Sequence, residues 1–213
     1  VPEVRIHFVL VAEGASDDGL IPHLENLCVE LGATEVTGTA IDYLRLGTPV
    51  RRTVESKLRA ASQLEPGANL FFIHRDSDDR DPRPRLLEIA HAVAACGLSK
   101  AWIPLVPVQE TEAWILLDEG AIRAVAGRPH GRFALDLPRA GRVELLAHPK
   151  ERLREALILA SELTGRRLEK FRRDFPNHRR LLLQRLPVGG PLLEVAAWVG
   201  FRDRLAESIQ ASF

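Results

Sequence analysis

Three groups of acids stand just beyond apolar runs that are too short to be anything but buried strands. Glu13 follows Ile6–Val11, Asp76 and Asp78 follow the run 69–74 (NLFFIH), and Glu110 and Glu112 follow 100–108 (KAWIPLVPV). In a parallel sheet, residues beyond the carboxyl ends of the strands line one crevice, so these acids are expected to converge. Carboxylates brought together without a counter-charge raise one another's pKa. A divalent cation relieves that repulsion, and hard oxygen donors suit Mg²⁺ or Mn²⁺. Such an ion could activate a water and neutralise a phosphate during in-line displacement. Taken singly, each group has a plainer reading. Glu13 could be a solvated loop residue, the Asp76–Asp81 run could be balanced by Arg75, Arg80, Arg83 and Arg85, and Glu110 and Glu112 could be first-turn helix acids. Asp17 and Asp18 read as helix-start residues.

The elements that must position these acids alternate. A strand over Arg5–Val11 precedes a helix capped by Ser16 and stopped at Gly32. A strand over Glu35–Leu44 comes next, and then a helix opened by Thr48-Pro49 that runs to Leu64. Asn69–His74 is the third strand and Pro84–Cys96 the third helix. Lys100–Val108 is a fourth strand, placed at an edge or bulge by its two prolines, and a helix covers Thr111–Val125. This β/α alternation predicts an α/β fold: a mostly parallel sheet with helices on both faces. From Gly127 the pattern lapses into a loop or insert. Helical periodicities then cover 150–164, 166–174, 178–186 and 192–210. The expected division is a core over 1–126 and, over 127–213, an insert with a helical C-terminal extension packed on that core.

The formal charge of zero hides an asymmetry. Residues 1–119 carry eleven Lys and Arg against nineteen Asp and Glu, a net −8, and residues 120–213 carry eighteen against ten, a net +8. Within 166–185 eight cations face two acids, with Phe171 and Phe175 interleaved. Arginine-rich helices suit phosphate backbones, which makes Arg172, Arg173, Arg179 and Arg180 candidate nucleic-acid contacts. The alternative is a solvated face that docks on the acidic half.

Other chemistries are excluded or weak. There is no GxxxxGK[ST] phosphate loop and no dinucleotide glycine fingerprint. Ser77 lacks a histidine at a recognisable spacing for a triad. His74, two residues before Asp76, reads as a packed core histidine rather than a proton shuttle, and Trp102, Trp114 and Trp198 read as core. Two cysteines, Cys28 and Cys96, are too few for a disulfide framework, which points to a reducing cytoplasm. No apolar run reaches the length of a membrane span, and the N-terminal VPEVRIHFVLVAEG lacks the basic start of a signal peptide.

Glu13-Gly14-x-Ser16-Asp17 after one strand and Asp76-x-Asp78 after a later one resemble the Toprim domain of topoisomerases, primases and overcoming-lysogenization-defect nucleases. Two further pieces, Glu110-Thr111-Glu112-Ala113-Trp114 and His148-Pro149-Lys150-Glu151, are similar to a bacterial Toprim-like family catalogued as domain of unknown function 4276. The resemblance spans about residues 5–175. It implies a Mg²⁺ or Mn²⁺ centre for phosphoryl chemistry on DNA or RNA. Glu13, Asp76 and Asp78 would hold metal or activate water, Glu112 would be a fourth acid and Lys150 a phosphate contact. It further implies a nuclease of antiphage defence beside an ATPase partner. A second class of function fits the same resemblance: a non-catalytic Toprim-like subunit that binds such an ATPase and cuts nothing.

Overall fold

Arg5–Val11 forms β1 as the sequence predicts, because its apolar run is buried on both sides. The computed structural model describes residues 3–47 and 49–212. These fall into two compact units, one comprising residues 1–75, 81–106 and 200–213, the other 76–80 and 107–199.

The first unit holds the whole sheet. Strands β1, β2 (Glu35–Ala40), β3 (Leu70–His74) and β4 (Ala101–Leu105) are all parallel, in the order β2-β1-β3-β4. Alternation along the central strands sends side chains to two faces. Val9, Val11, Phe71 and Ile73 pack with Val54, Leu58 and Ala61 of α2 (Val54–Leu64) and with Ile89 and Val93 of α3 (Arg83–Cys96). On the other face Phe8 meets Phe72 edge-on at 4.9 Å between ring centroids, and Phe72 meets Phe201 at 5.8 Å. Ile21 of α1 (Ile21–Glu30) also lies on that face, near Gly38 and Phe8. The fold is thus α/β with helices on both faces of a parallel sheet. The prolines of β4 sit on an edge strand, where a missing N–H is tolerated.

Several boundaries differ from the sequence reading. Gly14, not Ser16, precedes the first helical turn, and Ala15–Leu20 is 3₁₀ before α1 begins. β2 stops at Ala40, and a short 3₁₀ turn, Tyr43–Leu46, takes the place of its expected end. Helix α2 starts at Val54, because Thr53 accepts a bond from the N–H of Ser56 at 3.3 Å. Pro49 is not helical, and Thr48 lies outside the described residues.

The second unit is helical: α4 (Glu112–Ile115), α5 (Glu119–Val125), α6 (Ala140–Val143), α7 (Pro149–Ser161), α8 (Gly165–Arg173) and α9 (Phe175–Leu183). The helix predicted over Thr111–Val125 is two, since the Asp118 carboxylate caps the N–H of Ala121 at 2.8 Å and restarts the chain. Trp114 and Trp198 meet edge-on at 5.2 Å in this unit's core. A last helix, α10 (Ala196–Ser212), runs from residues of the second unit into residues of the first. No helix among the described residues is long and apolar enough to cross a membrane.

Candidate functional site

β1 connects to β2 on one side, and the chain then returns to place β3 on the other side of β1. The point where strand order reverses lies between the carboxyl ends of β1 and β3, where open α/β sheets bind ligands. Two residues of the first unit meet there. Arg75, just past β3, donates Nη1 to Glu13 Oε1, just past β1, and Arg75 Nη2 lies 3.5 Å from Glu88. Glu13 therefore has its own counter-charge. Lys57 of α2 donates Nζ to the carbonyls of Ala12 at 2.8 Å and Glu13 at 2.6 Å, which fixes the turn after β1. Burial pulls the Lys57 ammonium below its ordinary pKa, with Glu13 opposing.

A cleft of about 270 Å³ opens beside this turn, with Glu13, Asp18, Asp42, Tyr43 and Lys57 on its walls. Burial, and then Asp17, pushes the Asp18 carboxyl up. Burial, and then Asp18, raises the Tyr43 phenol. Asp17 is 4% exposed and accepts the N–H of Gly14 at 3.2 Å. Its Oδ2 also lies 3.5 Å from Nδ1 of His74, itself 1% exposed. Asp17 is an interior part of the turn and His74 the buried last residue of β3, in keeping with a helix-start aspartate and a core histidine.

In the second unit the segment 76–80 pairs with the segment that follows β4. Ser77 donates its N–H to Pro107 O at 3.1 Å, Asp78 to Gln109 O at 2.9 Å, and Gln109 returns one to Asp79 O at 3.1 Å. Asp78 and Gln109 both take left-handed backbone, with φ of 55° and 63°. Aspartate tolerates that region better than most side chains. Ser77 Oγ accepts the N–H of Gln109 at 2.7 Å and bonds Asp79 O, tying the pair together.

The Glu110-Thr111-Glu112 motif resolves into three different roles. Glu110 Oε2 accepts the N–H of Lys150 at 2.9 Å, capping the amino end of α7. That bond joins the two most specific motif pieces. Burial pushes the Glu110 carboxyl up, against the pull of the Lys150 N–H and ammonium. Thr111 donates its N–H at 2.9 Å and its hydroxyl at 2.7 Å to Asp76 Oδ1. Glu112 is 1% exposed, and its Oε1 takes Nε of Arg179 at 2.7 Å.

The last contact changes the reading of two predicted residues. Arg179, expected among surface cations, is 8% exposed and neutralises Glu112, so it is not available to a phosphate backbone. Glu112 is half of a buried ion pair rather than an acid facing a crevice. Arg172, Arg173 and Arg180 are exposed as expected, and Lys150 is half-buried beside Glu110.

Arg75, Thr111 and Lys57 were missed as partners of the site. Arg75 carried a signal, a cation directly between a strand end and the Asp76-x-Asp78 pair. Thr111 and Lys57 carried none beyond their residue type. Among the described residues no group of three or more His, Cys, Asp or Glu side chains converges into a ready-made metal cage. Mg²⁺ does not require one, because it keeps several waters and takes one or two carboxylates plus substrate oxygens. Asp76, held through one oxygen by Thr111, fits that minimal donor set, with Asp78 two residues on. No family model, no curated protein and no solved structure matches the chain. The likeness to Toprim domains rests on the motifs themselves.

Proposed function

We propose that the chain is a Mg²⁺- or Mn²⁺-dependent enzyme that cleaves phosphodiester bonds of nucleic acid, with Asp76 and Asp78 as the residues that hold the ion. The observation that carries this reading is the pair of hydrogen bonds that Thr111 donates to one oxygen of Asp76. Outer hydrogen bonds of this kind orient ligand carboxylates and tune their affinity. When bound, a divalent ion would supply a water acidic enough to act as nucleophile near neutral pH. The chain's own part is to keep Asp76 aimed, to hold Asp78 in its left-handed turn through the pairing with Gln109, and to grip phosphates with exposed cations. Glu13 belongs to the first unit and is engaged by Arg75, so its contribution is a separate question for Glu13→Gln.

The test is a cleavage assay with single- and double-stranded DNA and RNA, with Mg²⁺, Mn²⁺ or chelator. Wild type should cut one of them only with metal, and Asp76→Asn should remove the cutting while the protein stays folded. A metal-independent product, or full activity in Asp76→Asn, would overturn the proposal.

One observation favours a second reading, a non-catalytic Toprim-like subunit of an ATPase. Glu13 and Glu112 are each neutralised by an arginine of the chain itself. That reading expects a stable complex with an ATPase whose output survives Asp76→Asn.

A further inference from the structure

Helices α7, α8 and α9 of the second unit enclose a pocket of about 400 Å³ that the acids above do not touch. Its size lies within the ~300–1,000 Å³ range of small-ligand pockets. The lining is aromatic and aliphatic: Phe171, Phe175 and His178, with Leu157 and Ile158. The Phe171 and His178 rings lie 4.1 Å apart at an interplanar angle of 30°, close to a stack. His178 is 8% exposed, and its Nδ1 is buried without a hydrogen-bond partner in the structure. Two guanidinium groups, Arg154 and Arg172, complete the lining, and Arg154 is held over the face of Phe175 at 4.5 Å.

This pocket opens in the most cationic part of the chain. Helix α8 buries none of its residues. Arg166, Arg167, Lys170, Arg172, Arg173 and Arg180 are all exposed. An aromatic-lined pocket bordered by arginines and set in a cationic surface complements a ligand that is itself aromatic and joined to phosphates. Duplexes bury their bases, so only an unpaired base could enter. Resting on the nucleic-acid reading above, we propose that the α7–α9 pocket receives one unstacked base of a single-stranded nucleic acid, with the flanking phosphates on Arg172 and its neighbours in α8. Asp76 and Asp78, which belong to the same unit, then act on a strand that this pocket has placed.

The experiment uses three fluorescent probes of equal length in chelator, where no cleavage intervenes. They are an oligothymidylate, a phosphodiester chain of abasic residues, and a duplex. Wild type should bind oligothymidylate about tenfold more tightly than the abasic chain, the scale of one base stacked on an aromatic side chain. Phe171→Leu keeps an apolar, half-buried side chain and should bring that ratio close to one, with abasic binding unchanged. Arg172→Gln should weaken both single strands and make the slope of log K against log salt shallower by about 0.7. Equal binding of oligothymidylate and abasic chain by wild type would overturn the proposal. So would preference for the duplex, or a ratio unaltered in Phe171→Leu. Anionic phosphatidylserine vesicles that displace both single strands, with the ratio at one, would assign α8 to a lipid surface and also overturn it. The two proposals fail separately. A retained ratio with no metal-dependent cutting removes the nuclease reading alone, and metal-dependent cutting with a ratio of one removes the base pocket alone.

Discussion

Thr111 gives two hydrogen bonds, one from its backbone and one from its side chain, to the same oxygen of Asp76, although 35 residues separate them. Thr111 is completely buried, so the hydroxyl has no water to turn to. Thr111→Val preserves shape and deletes one of the two bonds. Loss of an outer hydrogen bond of this kind should weaken Mn²⁺ binding by about 10–100-fold. It should also lower stability by about 1.5–3 kcal/mol, the range for a hydrogen bond to a charged group. Calorimetric Mn²⁺ titration of wild type, Thr111→Ser and Thr111→Val checks this. Thr111→Ser should behave as wild type, and equal affinity in all three would remove the orienting role.

The Glu112–Arg179 pair predicts a strongly asymmetric mutational response. Breaking a buried ion pair by removing one partner costs about 3–5 kcal/mol. Glu112→Gln and Arg179→Gln should each approach that loss in urea unfolding, and the double variant should lose less than either single one. Additive losses would mean that the two side chains do not depend on each other.

Gly38 and Gly200 respond to alanine in opposite directions. A methyl at Gly38 would meet Ile21 Cγ2 at 2.7 Å and the Phe8 ring closer still, both in the packed interior. Overpacking of this kind costs about 1–3 kcal/mol. A methyl at Gly200, inside α10, would meet only Arg204 Nη1 at 3.6 Å. Gly200→Ala should therefore stabilise the protein by about 0.8–1 kcal/mol through helix propensity. Thermal melts of the two variants should move to opposite sides of wild type.

His178 sets part of the acid sensitivity. Burial holds its imidazolium below the ordinary histidine pKa, against the pull of Asp174. The unfolded chain takes up the proton first as pH falls, so in that window it holds more protons than the folded state. Stability then drops from the ordinary histidine range down to the folded value, and this group adds nothing further below it. His178→Phe should flatten the pH dependence of unfolding free energy as pH falls through the ordinary histidine range, about 6.5, toward the lower folded value. An identical slope in the variant would show that other groups carry the effect.

The two thiols should differ in reactivity. Cys28 is fully buried, and burial followed by the Glu25 charge pushes its pKa up to about 12. Cys96 is only partly buried, though its pKa is also raised. Thiolate is the reactive form, so an aromatic disulfide reagent should react with Cys96 alone in native protein, and slowly, leaving a mixed disulfide on Cys96 and releasing one equivalent of the reagent's aromatic thiol. Native Cys96→Ser should show no reaction until denaturant is added. Rapid modification of that variant would mean that the helix α1 interior opens readily.

What could be read from the chain follows from how local each determinant is. The run Ile6–Val11 and the run ending at His74 announce buried strands, because nothing but a strand that short buries so many apolar residues in a row. The prolines of β4 reveal an edge strand for an equally local reason. Pro49 misleads, because proline also suits the first turn of a helix, and Thr53, with an N–H to cap three residues on, wins. Asp118 is a second hidden cap, inside a stretch whose apolar spacing looks continuous. In the site, the placement of Asp76 and Asp78 after a strand was legible. Their surroundings were not. Arg179 lies 67 residues from Glu112, in a row of cations that periodicity reads as one solvated face, and only the packing of α9 turns that one side chain inward. A charge count cannot tell a paired interior arginine from a surface one.

The chain passes between its two compact units four times, after residues 75, 80, 106 and 199. This has a consequence for synthesis on the ribosome. A contiguous domain can finish folding while later sequence is still being made. Here the first unit cannot. Its sheet is complete in sequence by Leu105, yet Phe72 lacks the second of its two ring partners until Phe201 has left the exit tunnel. For nearly a hundred residues of elongation the part of that sheet face that Phe201 covers would stay open, an exposed apolar surface of the kind that chaperones hold.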